Sequence, residues 1–567
     1  MNHIRISKNL SVLTVMTATI ITPLFSFEPI LWVKEVILVA ISFATFLIYF
    51  LNRKQFTIAN RSVKYISLGI TLGLLLNFLF SRNDPGVWLW GYFGRANGSL
   101  TYISLLVVLF LNFIVQDEVH TRRLLRAIII AGSLNAVYMV VQLADQDPIA
   151  WISKETFGFL GNINFSSALI GIFCIIIFWQ ITFMGKLLPA LVKTAFVCAL
   201  LYLIWQSGSL QGLLMFAIGV QFRLIQKVIN HPWLKSRTIL KILLIAPQLL
   251  APYFVIFMLS VPSLLDGRFF QETIQFRKDY WFAAFAMFKD YPIFGVGIDN
   301  YGNYYRSFRS ITASQDFDRV SNSAHSIFLD LLSGGGITLF LPYFLLTIYI
   351  SVCAIKVFVR NESLTDGLLV SLWFACQIQN LIGIQTISLG VINWTIAGLL
   401  LARSNLQLFP NNKEDANYLL SSRSKKFSQT SKSKFSVVNL QTSPTHLISP
   451  KTYLFSGLLF LSGILVTSPP LIADISFNNQ LEKNNLDAMT KIASGKFGNQ
   501  VLLSVTLEKA TTREDGRVAL QIAMMLTEKY PRSYYGWDVI SRLKVTPDAL
   551  RDKAMRELLL LEPRFTK

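Results

Sequence analysis

The sequence predicts an all-α polytopic membrane protein, with about twelve core helices, a thirteenth span, one long external loop and a small C-terminal helical module. Three observations carry this reading. Of the 567 residues, 53% are hydrophobic and only 15% charged, too few charges for the surface of a soluble chain of this size. Apolar runs of about twenty residues recur, the length at which a helix crosses a hydrocarbon core. Basic residues collect in alternate connections, as the cytoplasmic preference of Lys and Arg demands.

In order, the apolar runs of the core lie near 9–27, 30–50, 64–80, 98–115, 125–144, 161–182, 187–206, 208–228, 239–261, 333–355, 366–385 and 387–402. The first is followed at once by another and has no small-residue cleavage site, so it reads as a retained helix rather than a signal peptide. With a cytoplasmic N-terminus, the inner connections hold Arg5 and Lys8, then Arg53, Lys54 and Arg61, then Arg122, Arg123 and Arg126. Lys186, Lys227, Lys235, Arg237, Lys356 and Arg360 come next on the same side. The net charge of +20 therefore reports topology, with attraction to anionic membrane lipids as a second contribution, and implies no nucleic-acid partner. The expected location is the inner (plasma) membrane.

Residues 1–405 form the expected membrane core. Within it, 262–325 is far longer than a bundle connection needs to be, and the charge alternation places it in the periplasm. It holds seven Lys/Arg against seven Asp/Glu, so it is not a simple positively lined mouth. Residues 403–452 are Ser/Lys-rich, with eight basic and two acidic residues, and read as a disordered cytoplasmic linker. A further span at 453–472 would return the chain to the periplasm. The tail, 474–567, reads as soluble helix: REDGRVALQIAMMLTEKY, YYGWDVISRL and PDALRDKAMRELLLLEP are helical in pattern, with Pro547 at a start and Pro563 at an end. Ala519 and Ala554 lie 35 residues apart, a spacing that resembles tetratricopeptide helix pairs. A small helical cap without repeat ancestry is the plain alternative. Either would bind a protein partner or a glycan-assembly component.

The long loop carries the residues with chemistry. Of five histidines, only His325 sits where the loop re-enters an apolar helix, and imidazole accepts a proton near neutral pH. A hydrogen-bonded histidine that fixes loop to helix is the alternative. Arg277 and Trp281 are four apart and share a helix face; a guanidinium there offers a planar fork to phosphate oxygens. Arg268 is a supporting cation, and snorkelling or loop pairing is the alternative for both arginines. Two further connections on the same side bring Arg95 (in WGYFGRANGS) and Asn162 and Asn164 (in FGFLGNINFS). The asparagines suit sugar hydroxyls or simply cap a helix. GVGIDNYG, at 295–302, lacks the Lys of a nucleotide loop and reads as a tight turn.

The four cysteines, Cys174, Cys198, Cys353 and Cys376, all fall in apolar runs, with no disulfide or metal-ligand spacing. No metal or other cofactor is implied. The absence of an Asp/Glu pair deep in a span weighs against proton-coupled transport.

Taken in order, GRANG (94–98), GNIN (161–164), RKDYW (277–281), PIFGVG (292–297) and SAHSIFLDLLSGGG (323–336) resemble the O-antigen ligase/polymerase superfamily of bacterial glycan assembly. The resemblance covers roughly 60–405. It implies a twelve-helix fold and a membrane glycosyltransferase. Its reaction would be inverting transfer of a glycan from an undecaprenyl-diphosphate carrier to a glycan or glycolipid hydroxyl acceptor at the outer face of the inner membrane. By the same resemblance, His325 activates the acceptor, Arg277 engages the diphosphate, and Arg268 or Arg95 assists. There are departures. SGSLQG (207–212) lacks the arginine of many ligases, and the usual His-Asn pair is His325-Ser326. These favour a polymerase, or a ligase for another acceptor, over a lipopolysaccharide ligase. The superfamily also contains proteins tied to inorganic-carbon uptake, so a transporter or uptake accessory is the second class. A non-catalytic envelope-assembly scaffold is the third.

Overall fold

The computed structural model describes residues 3–22, 25–51, 61–81, 83–114, 117–149, 151, 155–181, 187–232, 237, 239–240, 243–244, 272–316, 319–360, 363–404, 450–513 and 515–564. Among these the regular structure is helical. The first helices are α1 (His3–Met16), α2 (Leu31–Leu51), α3 (Arg61–Phe80), α4 (Pro85–Trp90), α5 (Ser99–Ile114), α6 (Glu118–Leu143), α7 (Ile163–Trp179), α8 (Leu187–Gln206) and α9 (Gln211–Asn230). After these come α10 (Glu272–Asp290), α11 (Tyr301–Phe308), α12 (Ile311–Ser314), α13 (Ile327–Arg360), α14 (Leu364–Ile382) and α15 (Ile387–Ser404). The C-terminal set is α16 (Pro450–Glu482), α17 (Leu486–Ser494), α18 (Gln500–Thr512), α19 (Gly516–Lys529), α20 (Tyr534–Arg542) and α21 (Asp548–Leu561).

Seven helices among the described residues are long and apolar enough to cross a membrane: α3, α6, α8, α9, α13, α15 and α16 from Leu454. The protein is an all-α polytopic membrane protein. Most of the expected span at 239–261, the residue Arg268 and most of the 403–452 linker lie outside the described residues.

Two elements differ from expectation. The helix expected over 9–27 begins instead at His3 and ends at Met16, followed by a 3₁₀ turn at Thr17–Thr19. Its buried face is polar: Ser11 Oγ donates to Asn112 Oδ1 on α5 at 2.6 Å, and Thr14 and Thr17 donate to carbonyls three residues back. Such hydroxyls compete with the helical ladder. The second difference is α13, whose 34 residues are interrupted at Gly336 (φ 59°, ψ −165°). The break divides a short entry segment from the long apolar one. A side chain at Gly336 would run into the Ile293 carbonyl, because the 292–297 turn packs directly on this backbone.

Charge clusters form at both ends of the bundle. Where α6 and α14 begin and α15 ends, Arg403 pairs with Asp366 and with Glu118, the latter at 2.6 Å, while Lys8 pairs with Asp117. The other end carries the candidate site.

The helix α16 packs along α2, and its Asp474 carboxylate accepts the Glu28 backbone N–H at 3.0 Å. From there α17–α21 enclose their own apolar core of Leu502, Leu507, Ile522, Leu526, Trp537 and Ile540. The amphipathic spacing of these residues gives each helix one buried face. This group docks on α11 through charge. Arg309, 0% exposed, pairs with Glu562, 2% exposed, and Arg306 reaches the same carboxylate at 2.9 Å.

Candidate functional site

Four connections converge on one end of the bundle. The turn 292–297 is fixed first. Val296 and Gly297 N–H donate to the Ser333 and Gly334 carbonyls at 2.9 Å each. Asn77 of α3 donates to Phe294 O and Gly334 O and accepts from Ile298 N–H. Asp299, next in the chain, is thereby held at 1% side-chain exposure beside Arg95.

Arg95 lies at the centre of the polar cluster. Its Nε is 2.9 Å from Asp299 Oδ1 and its Nη2 3.5 Å from Asp330 Oδ2, and Nη1 donates to the Asn322 carbonyl. Asp330, in the first turn of α13, accepts the Ser323 hydroxyl at 2.6 Å and Ala324 N–H at 2.8 Å. Ser323 Oγ in turn accepts His325 N–H at 2.9 Å. That chain of bonds holds His325 at φ 51°, in the left-handed region that a residue with a Cβ enters only when its surroundings impose it. Arg95 was expected to touch substrate. With 7% of its side chain exposed and two carboxylates on it, it is instead committed to the turn that carries His325, and it does not line the adjoining cavity.

The His325 ring stacks on Tyr280 of α10, centroids 5.2 Å apart, and lines a cavity of about 720 Å³. Its nitrogens make no hydrogen bond among the described residues. Burial, then the positive charges of Arg277 and Arg95, push the imidazole down to about 3. It is therefore neutral at physiological pH. Arg277 lies one turn before Tyr280 on α10 and is half-buried. Its guanidinium has no ion pair and no hydrogen bond among the described residues, and burial lowers its pKa. A cation partly withdrawn from water without a counter-ion favours an arriving anion.

These charges have a measurable consequence. Histidine NMR on the intact protein should find His325 neutral from about pH 8 to about pH 5. Arg277→Gln removes a neighbouring cation and should raise the imidazole pKa. A wild-type midpoint near the unperturbed value of about 6.5 would contradict the geometry.

The other expected residues are dispersed. Asn162 caps α7 by accepting Asn164 N–H, and Asn164 Oδ1 accepts the Ser209 hydroxyl at 2.8 Å. Both serve the α7–α9 junction and neither lines the cavity. Trp281 leaves its indole N–H buried without a partner among the described residues. Sequence reasoning missed Tyr280, Asp299, Asp330 and Ser323. The available signal was an aspartate five residues after the histidine, on the helix that the loop enters.

Residues 157–344 match the family model described as O-Antigen ligase. Over these residues, about a third of the chain, the protein is similar to that family. The matched stretch contains His325, Arg277, Asp299 and Asp330 but neither Arg95 nor α16–α21. No curated protein matches the chain. That similarity accords with a membrane-associated, glycan-handling role.

Proposed function

We propose that this protein is an inverting membrane glycosyltransferase, moving a glycan from an undecaprenyl-diphosphate carrier to a sugar hydroxyl at the outer face of the inner membrane. It would work as an O-antigen or exopolysaccharide polymerase, or as a ligase. The observation that supports this best is the juxtaposition of a half-buried Arg277, which has no counter-ion among the described residues, with a neutral His325 that lines the cavity. The proposed topology places the N-terminus in the cytoplasm, and the 262–325 loop and α17–α21 in the periplasm.

In this reading the acceptor oxygen attacks the anomeric carbon from the face opposite the diphosphate. The new C–O bond forms as the bond to phosphate oxygen breaks, and the bonding pair leaves with the diphosphate. The acceptor proton passes to His325. An imidazole whose pKa is near 3 is a weak base in the empty site. The bound diphosphate offsets the Arg277 charge, which raises the imidazole pKa when the proton must be taken. Arg277 also stabilises the charge that develops on the leaving group. Arg95, with Asp299 and Asp330, positions the His325 turn.

Arg277→Gln is therefore expected to lower kcat by about 10²–10³-fold, the scale for losing one donor to developing charge. The check is transfer by purified protein reconstituted with a lipid-diphosphate glycan. Unchanged kcat in a folded variant would remove Arg277 from the reaction.

A further inference from the structure

We infer that helices α18 and α20 supply the second wall of the His325 cavity, and that this wall binds the acceptor saccharide. The inference rests on the glycan-transfer reading and adds a subsite built from a segment outside the matched family region.

The first support is attachment. Arg532, just before α20, donates from Nε to the Asn303 carbonyl at 3.0 Å and from Nη2 to Ser307 Oγ at 2.8 Å. Its guanidinium lies 3.7 Å over the Tyr304 ring. Together with the buried pairing of Arg306 and Arg309 on Glu562, these contacts fix the C-terminal helices to α11. A wall held this way can position a ligand against His325.

The second support is the lining. Gln500, Ser504, Tyr535 and Asp538 face the cavity from the C-terminal helices, opposite His325, Tyr280 and Tyr305. Its cations are largely committed: Arg306 pairs with Glu562, and Arg542 pairs with Asp538 at 2.8 Å. A lining of aromatic faces, amides, hydroxyls and neutralised charge suits a polyhydroxylated sugar better than a phosphate. The volume, about 720 Å³, falls within the range of about 300–1,000 Å³ for small-ligand sites.

The third support is an orphan. Tyr305 belongs to the cavity lining with its side chain fully buried, and its hydroxyl has no hydrogen-bond partner among the described residues. A buried polar group without a partner is costly, and a sugar hydroxyl would satisfy it.

The test uses the full-length protein in nanodiscs and two probes. One is the oligosaccharide released by mild acid from the host's lipid-diphosphate glycan; the other is the delipidated oligosaccharide of its envelope glycolipid. Wild-type protein is expected to bind at least one of them. Tyr305→Phe should weaken that binding by about 2- to 10-fold, the worth of one hydrogen bond, with no loss of thermal stability. Ser504→Trp, which fills the cavity from α18, should weaken it by more than about tenfold. Gln500→Ala gives a milder variant if the tryptophan impairs folding. Failure of wild-type protein to bind either probe would overturn the subsite, as would binding unaffected by all three substitutions. Saccharide binding that is lost in Ser504→Trp, in a wild-type protein that transfers nothing from a lipid diphosphate, would keep the subsite and overturn the glycan-transfer reading.

Discussion

Replacing His325 with alanine is expected to lower the transfer rate by about 10²–10⁴-fold, the usual contribution of a positioned general base. Donor binding should change little, because the diphosphate is assigned to Arg277. The effect should fall on kcat rather than on the donor KM, as it does when an interaction made only in the transition state is removed. Because the ring is half-buried, makes no hydrogen bond among the described residues and stacks on Tyr280, its loss should leave the fold intact. His325→Gln separates shape from basicity: it fills similar space, accepts no proton, and should be as slow as alanine. Either variant retaining near wild-type kcat would remove His325 from the chemistry and leave it as a fixing residue.

Arg95→Met should have the second largest effect, on stability and on rate together. Asp299 and Asp330 both lean on this guanidinium. Burial already pushes the Asp299 carboxyl up to about 6, with Arg95 the leading influence that holds it down. Without Arg95 the pKa rises further, so Asp299 takes up a proton at neutral pH or remains an unpaired buried charge. Breaking such a cluster by removing one partner costs about 3–5 kcal/mol, readable as a fall in thermal or denaturant stability. The sign with pH is definite. Asp299 has a raised folded pKa, so the unfolded chain gives up its proton first, and the variant should be relatively less unstable in mild acid than at neutral pH. Suppressing the second charge with Asp299→Asn should recover part of the stability. The rate should stay low, because the turn that holds His325 has lost its anchor. Wild-type stability in Arg95→Met would contradict the positioning role.

The legible and illegible parts of this chain divide along a physical line. Apolar runs near 64–80 and 187–206 appear as Arg61–Phe80 and Leu187–Gln206, since a span announces itself by local composition. The first helix is offset from its expected run because its Ser11 and Thr14, with the following Thr17, turn their hydroxyls inward, whereas hydropathy weighs each residue singly. His325 stands out through its setting at a loop-to-helix junction. Arg95 stands out as well, but its role does not: its carboxylate partners, Asp299 and Asp330, belong to distant parts of the chain, and sequence shows a charge without showing what neutralises it. Arg309 and Glu562 are the sharpest case. One reads as a loop cation and the other as a helix end, yet together they form a buried pair joining the C-terminal helices to the loop. Long-range ion pairs of this kind leave no local pattern, and they decide which residues share the cavity.

Glycan transfer with inversion from a lipid diphosphate is tested most directly with purified protein in proteoliposomes. The protein is given the host's undecaprenyl-diphosphate glycan and its candidate acceptors, and the linkage of the product is read by NMR. The expected result is a product whose new linkage has the anomeric configuration opposite to that of the donor, as a ladder for a polymerase or a single capped acceptor for a ligase. It should form with wild-type protein and fall to background with His325→Ala. No product from wild-type protein, product with retained configuration, or product formed equally well without His325 would contradict the account.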